Sequence, residues 1–260
     1  MNYQGIIYFD LDGTLLNQHS VITKENQLLL DILHEKGYLC VAASGRAPFE
    51  IEEITAGTAI SSYISLNGQY ICVEGDMMDS SPIDTNTAEE LLNFSTTLSH
   101  PVASYGKSSY FINFIDETTR KLYKLDNAPL PAIDAQFHQK EVIYMLYLFS
   151  EAEHLDTLYK ERFNNQLSFF RDSPFSLAFV NKGISKRTGI HKINEHFTHS
   201  HTLKTYAFGD GNNDLDMFQA VDQSIAMGNA SNLVKSHADF VTKSHLDGGI
   251  LHALQYYGIV

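Results

Sequence analysis

A run of five apolar or aromatic residues, Gly5–Phe9, ends abruptly in acid: "GIIYFDLDGTLL" places Asp10 and Asp12 two residues apart, with Gly13 and Thr14 directly after. Such a run reads as a buried strand. A carboxylate at the end of a buried strand is costly unless its charge is compensated. Two neighbouring carboxylates repel, so they either share a proton or hold a cation between them. The same Asp-x-Asp spacing occurs in solvated loops. The buried strand before it and the Gly-Thr after it set this copy apart.

The remaining pattern agrees with a strand feeding a parallel sheet. A helix is expected from about Thr23 to Glu35, with Thr23 as N-cap and Leu29, Ile32 and Leu33 on its apolar side. Gly37 closes it, and "YLCVAA" (Tyr38–Ala43) reads as a second buried strand. "SGRAP" turns the chain, with Pro48 suited to open another helix. "YISL" (Tyr63–Leu66) is a third strand, and Asn67-Gly68 marks a tight turn before "QYICVEG". Strands separated by helices imply a doubly wound, Rossmann-like parallel sheet, an α/β core.

Near Pro82 the pattern changes, and residues 82–183 read as an inserted α+β domain. They hold expected helices at Thr87–Leu98 and Glu151–Phe163 and strands near Tyr110–Ile115, Val142–Phe149, Leu167–Arg171 and Leu177–Val180. The first pattern then resumes, which assigns residues 1–81 and 184–260 to the core. A helix starts at Ser185, a strand covers Thr205–Phe208, a helix follows Asn213, and short strands fall at "SIAM" and "DFV".

Composition narrows the partners. With 18 Lys and Arg against 31 Asp and Glu, the formal charge is −13, which argues against nucleic acid or an anionic membrane surface as partner. An anionic small substrate stays admissible, because a metal and a few cations reverse the field locally. No apolar stretch approaches a membrane-spanning length, and the N-terminus lacks a signal-peptide pattern, so a cytoplasmic protein is expected. Cys40 and Cys72 sit in apolar contexts and read as reduced, buried thiols.

Three further clusters fall at strand ends or helix starts, where ligands of open parallel sheets bind. Ser44-Gly45-Arg46 offers a hydroxyl, an unobstructed N–H and a guanidinium, a set that suits a phosphate. Lys186 stands near a helix start capped by Ser185. There its charge opposes the helix dipole, so an anion would explain it. "FGDGNND" supplies Asp210, Asn213 and Asp214, oxygen donors for a hard divalent ion. A calcium-loop match beginning at Asp210 fails, because Leu215 holds its glycine position and Val221 its closing glutamate position. His191, His196, His199 and His201 crowd one segment but come without cysteines. They read as a solvent-facing helix end and loop rather than a zinc site.

Taken together, "DLDGTLL", "SGR", Lys186 and "GDGNND" resemble the haloacid dehalogenase-like phosphohydrolases, and specifically the Cof-type branch with a large inserted cap. "NKGISK" and "SIAMGNASNLVKSHADFVT" are also similar to that branch. The resemblance implies a magnesium-dependent phosphatase acting on small phosphorylated metabolites such as sugar phosphates, with an aspartyl-phosphate intermediate. It makes Asp10 nucleophile and metal ligand, and Asp12 general acid and base with its carbonyl on the metal. Asp210 completes the ligands, and Asp214 orients Lys186 or a metal-bound water. The amide of Leu11, with Ser44, Gly45, Lys186 and Asn213, would surround the phosphoryl group, and Arg46, Asn67 and Gly68 would contact the rest of the substrate. Arg187-Thr188 departs from the branch, which often has glycine there. A phosphotransferase or mutase is the alternative enzyme reading, and a non-catalytic phosphate-binding regulator the alternative outside enzymes.

Overall fold

The structure is a computed structural model that describes residues 3–125, 128–151, 153–197 and 203–260. The chain divides into two compact units, Met1–Ser80 with Ser185–Val260, and Ser81–Ile184.

The first half of the first unit runs β1 (Gly5–Phe9), α1 (Lys24–Glu35), β2 (Tyr38–Ala43), α2 (Pro48–Thr55), β3 (Ser62–Ser65), β4 (Tyr70–Val73) and β5 (Asp76–Ser80). α1 starts where expected, because the Thr23 side chain accepts the Asn26 N–H. Its buried side is Leu29, Leu30 and Leu33, whereas Ile32 is exposed. At 100° per residue Ile32 lies off the stripe that Leu29 and Leu33 define, on the side away from Leu30. α2 opens on Pro48, and the Glu50 carboxylate reaches back to accept the Ala47 N–H at 2.7 Å.

The second unit contains α3 (Thr85–Thr97), β6 (Val102–Tyr105), β7 (Tyr110–Ile112), α4 (Glu117–Leu125), β8 (Met145–Phe149), α5 (Asp156–Phe163), β9 (Leu167–Ser173) and β10 (Ser176–Asn181). α3 begins before the expected Thr87, because the Asp84 carboxylate caps it by accepting the N–H groups of Asn86 and Thr87. The sheet is antiparallel throughout, in the order β7-β6-β8-β10-β9. Leu146, Leu148, Leu177 and Phe179 pack from it onto Leu91, Leu92, Tyr159 and Phe163 of α3 and α5. Arg171 ties this unit together. It donates to both Asp156 oxygens, at 2.8 and 2.5 Å, and to the carbonyls of Ser150, Ser173 and Pro174.

The chain then completes the first unit with α6 (Lys186–Phe197), β11 (Lys204–Gly209), α7 (Leu215–Phe218), β12 (Gln223–Ala226), α8 (Asn232–Lys235), β13 (Phe240–Val241) and α9 (Gly249–Tyr256). Its eight strands are ordered β13-β12-β11-β1-β2-β3-β4-β5. They are parallel from β13 to β3, and β4 and β5 add an antiparallel edge. This is an α/β, doubly wound parallel core. Alternate residues of β1 and β2 (Ile6 and Tyr8, then Leu39, Val41 and Ala43) join a buried cluster with Ile190 and Ile193 of α6 and Met217 of α7.

The strand order reverses at β1. The chain moves outward through β2 and β3, then returns after the second unit to pair β11 on the other side of β1. Such a switch opens a crevice at the carboxyl ends of the strands. Phe9 is in register with Ala42 of β2 and Phe208 of β11, so the residues that follow all three strands emerge side by side. Among the described residues, no helix is long and apolar enough to cross a membrane.

Because Asp156 is buried and shared by two of Arg171's donors, Asp156→Ala leaves a desolvated guanidinium half-paired. Urea unfolding should show a loss of about 3–5 kcal/mol. A loss below about 1 kcal/mol would mean that the carbonyl contacts alone hold Arg171.

Candidate active site

Asp10 leaves β1 with its N–H bonded to the Phe208 carbonyl at 2.9 Å, so its backbone is held as though the strand continued. Its side chain is buried, and Oδ1 accepts from Lys186 Nζ at 2.6 Å. The same ammonium donates to Asp214 Oδ1 at 2.7 Å. Lys186 is 2% exposed, so its charge is carried in the interior by two carboxylates rather than by water. It is the first residue of α6. Just before it, the Ser185 N–H donates to Thr188 Oγ1 and the Thr188 hydroxyl donates back to the Ser185 carbonyl. Thr188 thus shapes the turn that delivers the lysine.

Asp214 is fully buried, and its second oxygen accepts the N–H groups of Asp210 and Gly211 at 2.9 Å each. One side chain therefore folds the loop after β11 and braces Lys186. Asp210 accepts from Thr14 Oγ1 at 3.3 Å and from Asn229 Nδ2 at 3.0 Å. Gly13 has a left-handed φ of 79° and faces this carboxylate so closely that any Cβ there would collide with the Asp210 oxygens.

The charges do not balance. Asp10, Asp210 and Asp214 bring one oxygen each within 4.8 Å of one another, and Lys186 is the cation among them. Burial and then the Asp214 charge push the Asp10 carboxyl well above the usual range, against the pull of Lys186. Burial and Asp214 likewise push Asp210 up to about 6. Burial opposes the Lys186 charge, but Asp10 and Asp214 more than offset it and keep the ammonium protonated. With all three carboxylates ionised, Lys186 leaves two negative charges uncompensated in an all-oxygen donor set, a fit for one hard divalent cation.

Asp12 points elsewhere. It lies mostly in solvent and is gripped by both arms of Arg46, Nε to Oδ2 at 2.7 Å and Nη2 to Oδ1 at 2.6 Å. Leu11, between the two acids, is buried and begins the turn Leu11–Leu15. At the start of such a turn the backbone N–H groups have no partner within it.

The loops after β2 and β3 are stitched together. Ser44 N–H bonds to Ile64 O, Leu66 N–H to Arg46 O, and Asn67 N–H to Ser44 O. Ser44 Oγ accepts the Arg46 N–H at 3.2 Å, which leaves its hydroxyl proton to donate. Gly45 lies against the Asn67 amide, about where a Cβ would meet it at 3.4 Å. Asn67 is left-handed, 1% exposed, and neither amide atom has a hydrogen-bond partner. Gly68 beside it is buried, and Asn213 is half-buried.

Asp10, Lys186, Asp210 and Asp214 therefore meet as one cluster. Asp12 and Arg46 form a pair beside it, and Ser44, Gly45, Asn67 and Gly68 form a platform across β2 and β3. Thr14 and Asn229 belong to the first cluster, and the sequence alone assigns neither of them a role. Their available signal was position, since Thr14 closes the Asp-x-Asp turn and Asn229 follows the strand next to β11. His191 is exposed and touched by Arg187 at 3.4 Å, and His196 packs edge-on against Phe197. His199 and His201 lie outside the described residues.

Residues 7–254 match the haloacid dehalogenase-like hydrolase family. YkrA of Bacillus subtilis (strain 168) is 31% identical over 98% of each chain. From the same organism, 5-amino-6-(5-phospho-D-ribitylamino)uracil phosphatase YcsE is 24% identical over 97% of this chain and 95% of its own. Among solved structures, the HAD subclass IIB sugar phosphatase BT4131 superposes with a TM-score of 0.84, at 25% identity over 98% of this chain and 100% of its own.

The raised Asp210 carboxyl makes metal-free stability depend on pH. A folded-state value near 6 against an ordinary 3.8 means that the native chain holds the extra proton between those values. This contribution is complete below about pH 4 and is lost as pH rises through 6. Metal-free protein should melt at a lower temperature at about pH 7.5 than at about pH 5, and Asp210→Asn should remove part of that difference. An unchanged difference in Asp210→Asn would place the shifted titration elsewhere.

Proposed function

The chain belongs to the haloacid dehalogenase-like hydrolases and is a phosphatase, and from that premise we propose that it hydrolyses small phosphorylated metabolites, sugar phosphates or similar phosphomonoesters, using magnesium and an aspartyl-phosphate on Asp10. The observation that carries this is the buried cluster at the strand switch. Three carboxylates meet there around one lysine that pairs with two of them, beside a hydroxyl and turn N–H groups suited to phosphoryl oxygens. YcsE is named for a phosphoribityl substrate and BT4131 for sugar phosphates, both phosphate esters of polyhydroxylated carbon chains, and we extend that class to this chain.

Asp10, Asp210 and the Asp12 carbonyl would hold the ion, with Asp214 braced behind them. Bound there, magnesium neutralises phosphoryl charge and lets an anionic nucleophile approach an anionic ester. Lys186 occupies Asp10 Oδ1, so Oδ2 is the oxygen left to attack phosphorus. Ser44 donates its hydroxyl proton to a phosphoryl oxygen, as do the N–H groups of Leu11 and Gly45, with Lys186 and Asn213 completing the cage. As the Asp10–phosphorus bond forms, the bond to the leaving oxygen breaks and Asp12 gives that oxygen a proton. Asp12 then takes a proton from the water that attacks phosphorus, which frees Asp10 and inorganic phosphate.

Arg46 keeps Asp12 extended between the two steps, and one of its two contacts has to open for Asp12 to hold a proton. Asn67 supplies an unspent amide for the substrate beyond the phosphate, with Gly68 as the gap beside it. Residues 82–183 are assigned as the cap that selects the substrate.

Asp10→Asn should abolish turnover of every substrate without loss of melting temperature, and EDTA should silence the wild type until magnesium is restored. Normal turnover in a folded Asp10→Asn chain would overturn the nucleophile assignment. Asp12→Ala separates acid from base. Transfer from an alkyl phosphate should slow about 10²- to 10⁴-fold, whereas nitrophenyl phosphate, whose leaving group departs as an anion, should still transfer. Rapid quench should then show one equivalent of nitrophenol per active site and a stalled phosphoenzyme. Equal slowing with both esters and no burst would assign Asp12 to holding the metal instead.

A further inference from the structure

Asn229 follows β12 and is itself exposed, yet its side chain is fully committed. Both amide protons are donated, one to the Gly13 carbonyl at 2.8 Å and one to Asp210 Oδ2 at 3.0 Å. Its Oδ1 accepts the His245 N–H at 3.0 Å. An exposed amide gains little from being fixed, because water satisfies it as well and fixing it costs rotamer freedom. The turn is itself anchored, with Met227 N–H on Gly209 O and Gly228 N–H on Lys243 O, both at 2.9 Å. The side chain is therefore presented from a framed position rather than from a loose loop.

Its contacts are specific in kind as well as number. Asp210 has one donor per oxygen, Thr14 on Oδ1 and Asn229 on Oδ2, so its carboxylate plane is set from both sides. The second Asn229 proton goes to the backbone carbonyl one residue after Asp12. One amide thus fixes the spacing between the turn that carries Asp10 and Asp12 and the carboxylate that faces them. Neither donor exhausts Asp210, since a carboxylate offers about four lone-pair sites.

We propose that Asn229 is a positioning residue for the divalent cation, holding Asp210 and the Asp10–Gly13 turn at metal-binding separation before the ion arrives. This rests on Asp210 being a magnesium ligand. Partners that orient metal ligands in this way are typically worth about 10–100-fold in metal affinity. A serine at 229 is too short to span both acceptors, and alanine has nothing to donate.

The test is calorimetric titration of magnesium into metal-free wild type, Asn229→Ala and Asn229→Ser, with melting in EDTA and nitrophenyl phosphate turnover alongside. Both variants should bind magnesium about 10–100-fold more weakly than wild type. Their half-saturating magnesium in turnover should rise by the same factor. At saturating magnesium, kcat and the ester KM should return to near wild type, and melting in EDTA should be unchanged because the side chain is exposed. Equal magnesium affinity in wild type and both variants overturns the inference while leaving the metal reading standing. A turnover defect that magnesium does not rescue, with lowered melting in EDTA, makes Asn229 a structural tie and also overturns it. A wild type that binds no magnesium overturns the metal reading and this inference with it.

Discussion

The Lys186 ammonium between Asp10 and Asp214 is the contact on which the rest of the site depends. Three carboxylates cannot be brought together in a protein interior without a cation, and one buried lysine covers only part of their charge. Lys186 stabilises the cluster enough to fold while leaving a net charge that matches a divalent ion. With a second lysine there only one negative charge would remain uncompensated, and the hold on a divalent cation would be correspondingly weaker. Without Lys186, Asp10 and Asp214 would be desolvated like charges facing each other. Folding and function therefore draw on the same imbalance.

Burial also divides labour between the two acids of the opening motif. Asp10 has one oxygen spoken for and its backbone bonded to β11, a fixed placement that suits the nucleophile proposed for it. Asp12 is half in water and held only by a guanidinium, so it can change partner between protonated and ionised forms. The turn at Leu11–Leu15 explains the split: residues two apart on a continuing strand would face the same side, and the turn carries the second one outward. Asp12 keeps its access to solvent, so water can take the place of one Arg46 contact when that contact opens.

The parts legible in the sequence were those set by local pattern. Gly5–Phe9, Tyr38–Ala43 and the Thr23 cap emerge where periodicity and capping chemistry put them. One element that escaped lacks such a signature. β5 reads "DMMDS", polar enough to pass for loop, and is a strand because it completes an antiparallel edge on β4. α4, "ETTRKLYKL", and the closing α9 carry an amphipathic pattern as clear as that of α1, and the sequence reading still leaves them unassigned. Within the site, identities were legible and partnerships were not. Asn229 reaches Gly13 across 216 residues, and Thr14 reaches Asp210 across 196. No spacing rule spans such separations, because they are consequences of β12, β11 and β1 lying side by side. Arg46 was grouped with phosphate binding on residue type, and only the fold reveals that Asp12 occupies its fork.

The depth of Lys186 is itself set by a residue with no polar chemistry. Gly189 follows three residues later on α6, and a Cβ there would stand 2.8 Å from Ile64 Cγ2 on β3. Its absence lets α6 lie against the strand at a distance that a methyl group would forbid, since such a Cβ contact is well inside van der Waals separation. Ile190 and Ile193, on the same helix, complete the seal with Ile6, Tyr8 and Ile64. Moving the helix out by the size of one methyl would lengthen both Lys186 contacts together, because they share a single Nζ. At 2.6 and 2.7 Å both contacts are within hydrogen-bond range, and a displacement of that size would carry them beyond it and leave the charges unpaired in a dry interior. Close packing of α6 on β3 is thus an electrostatic requirement of the site as much as a property of the core.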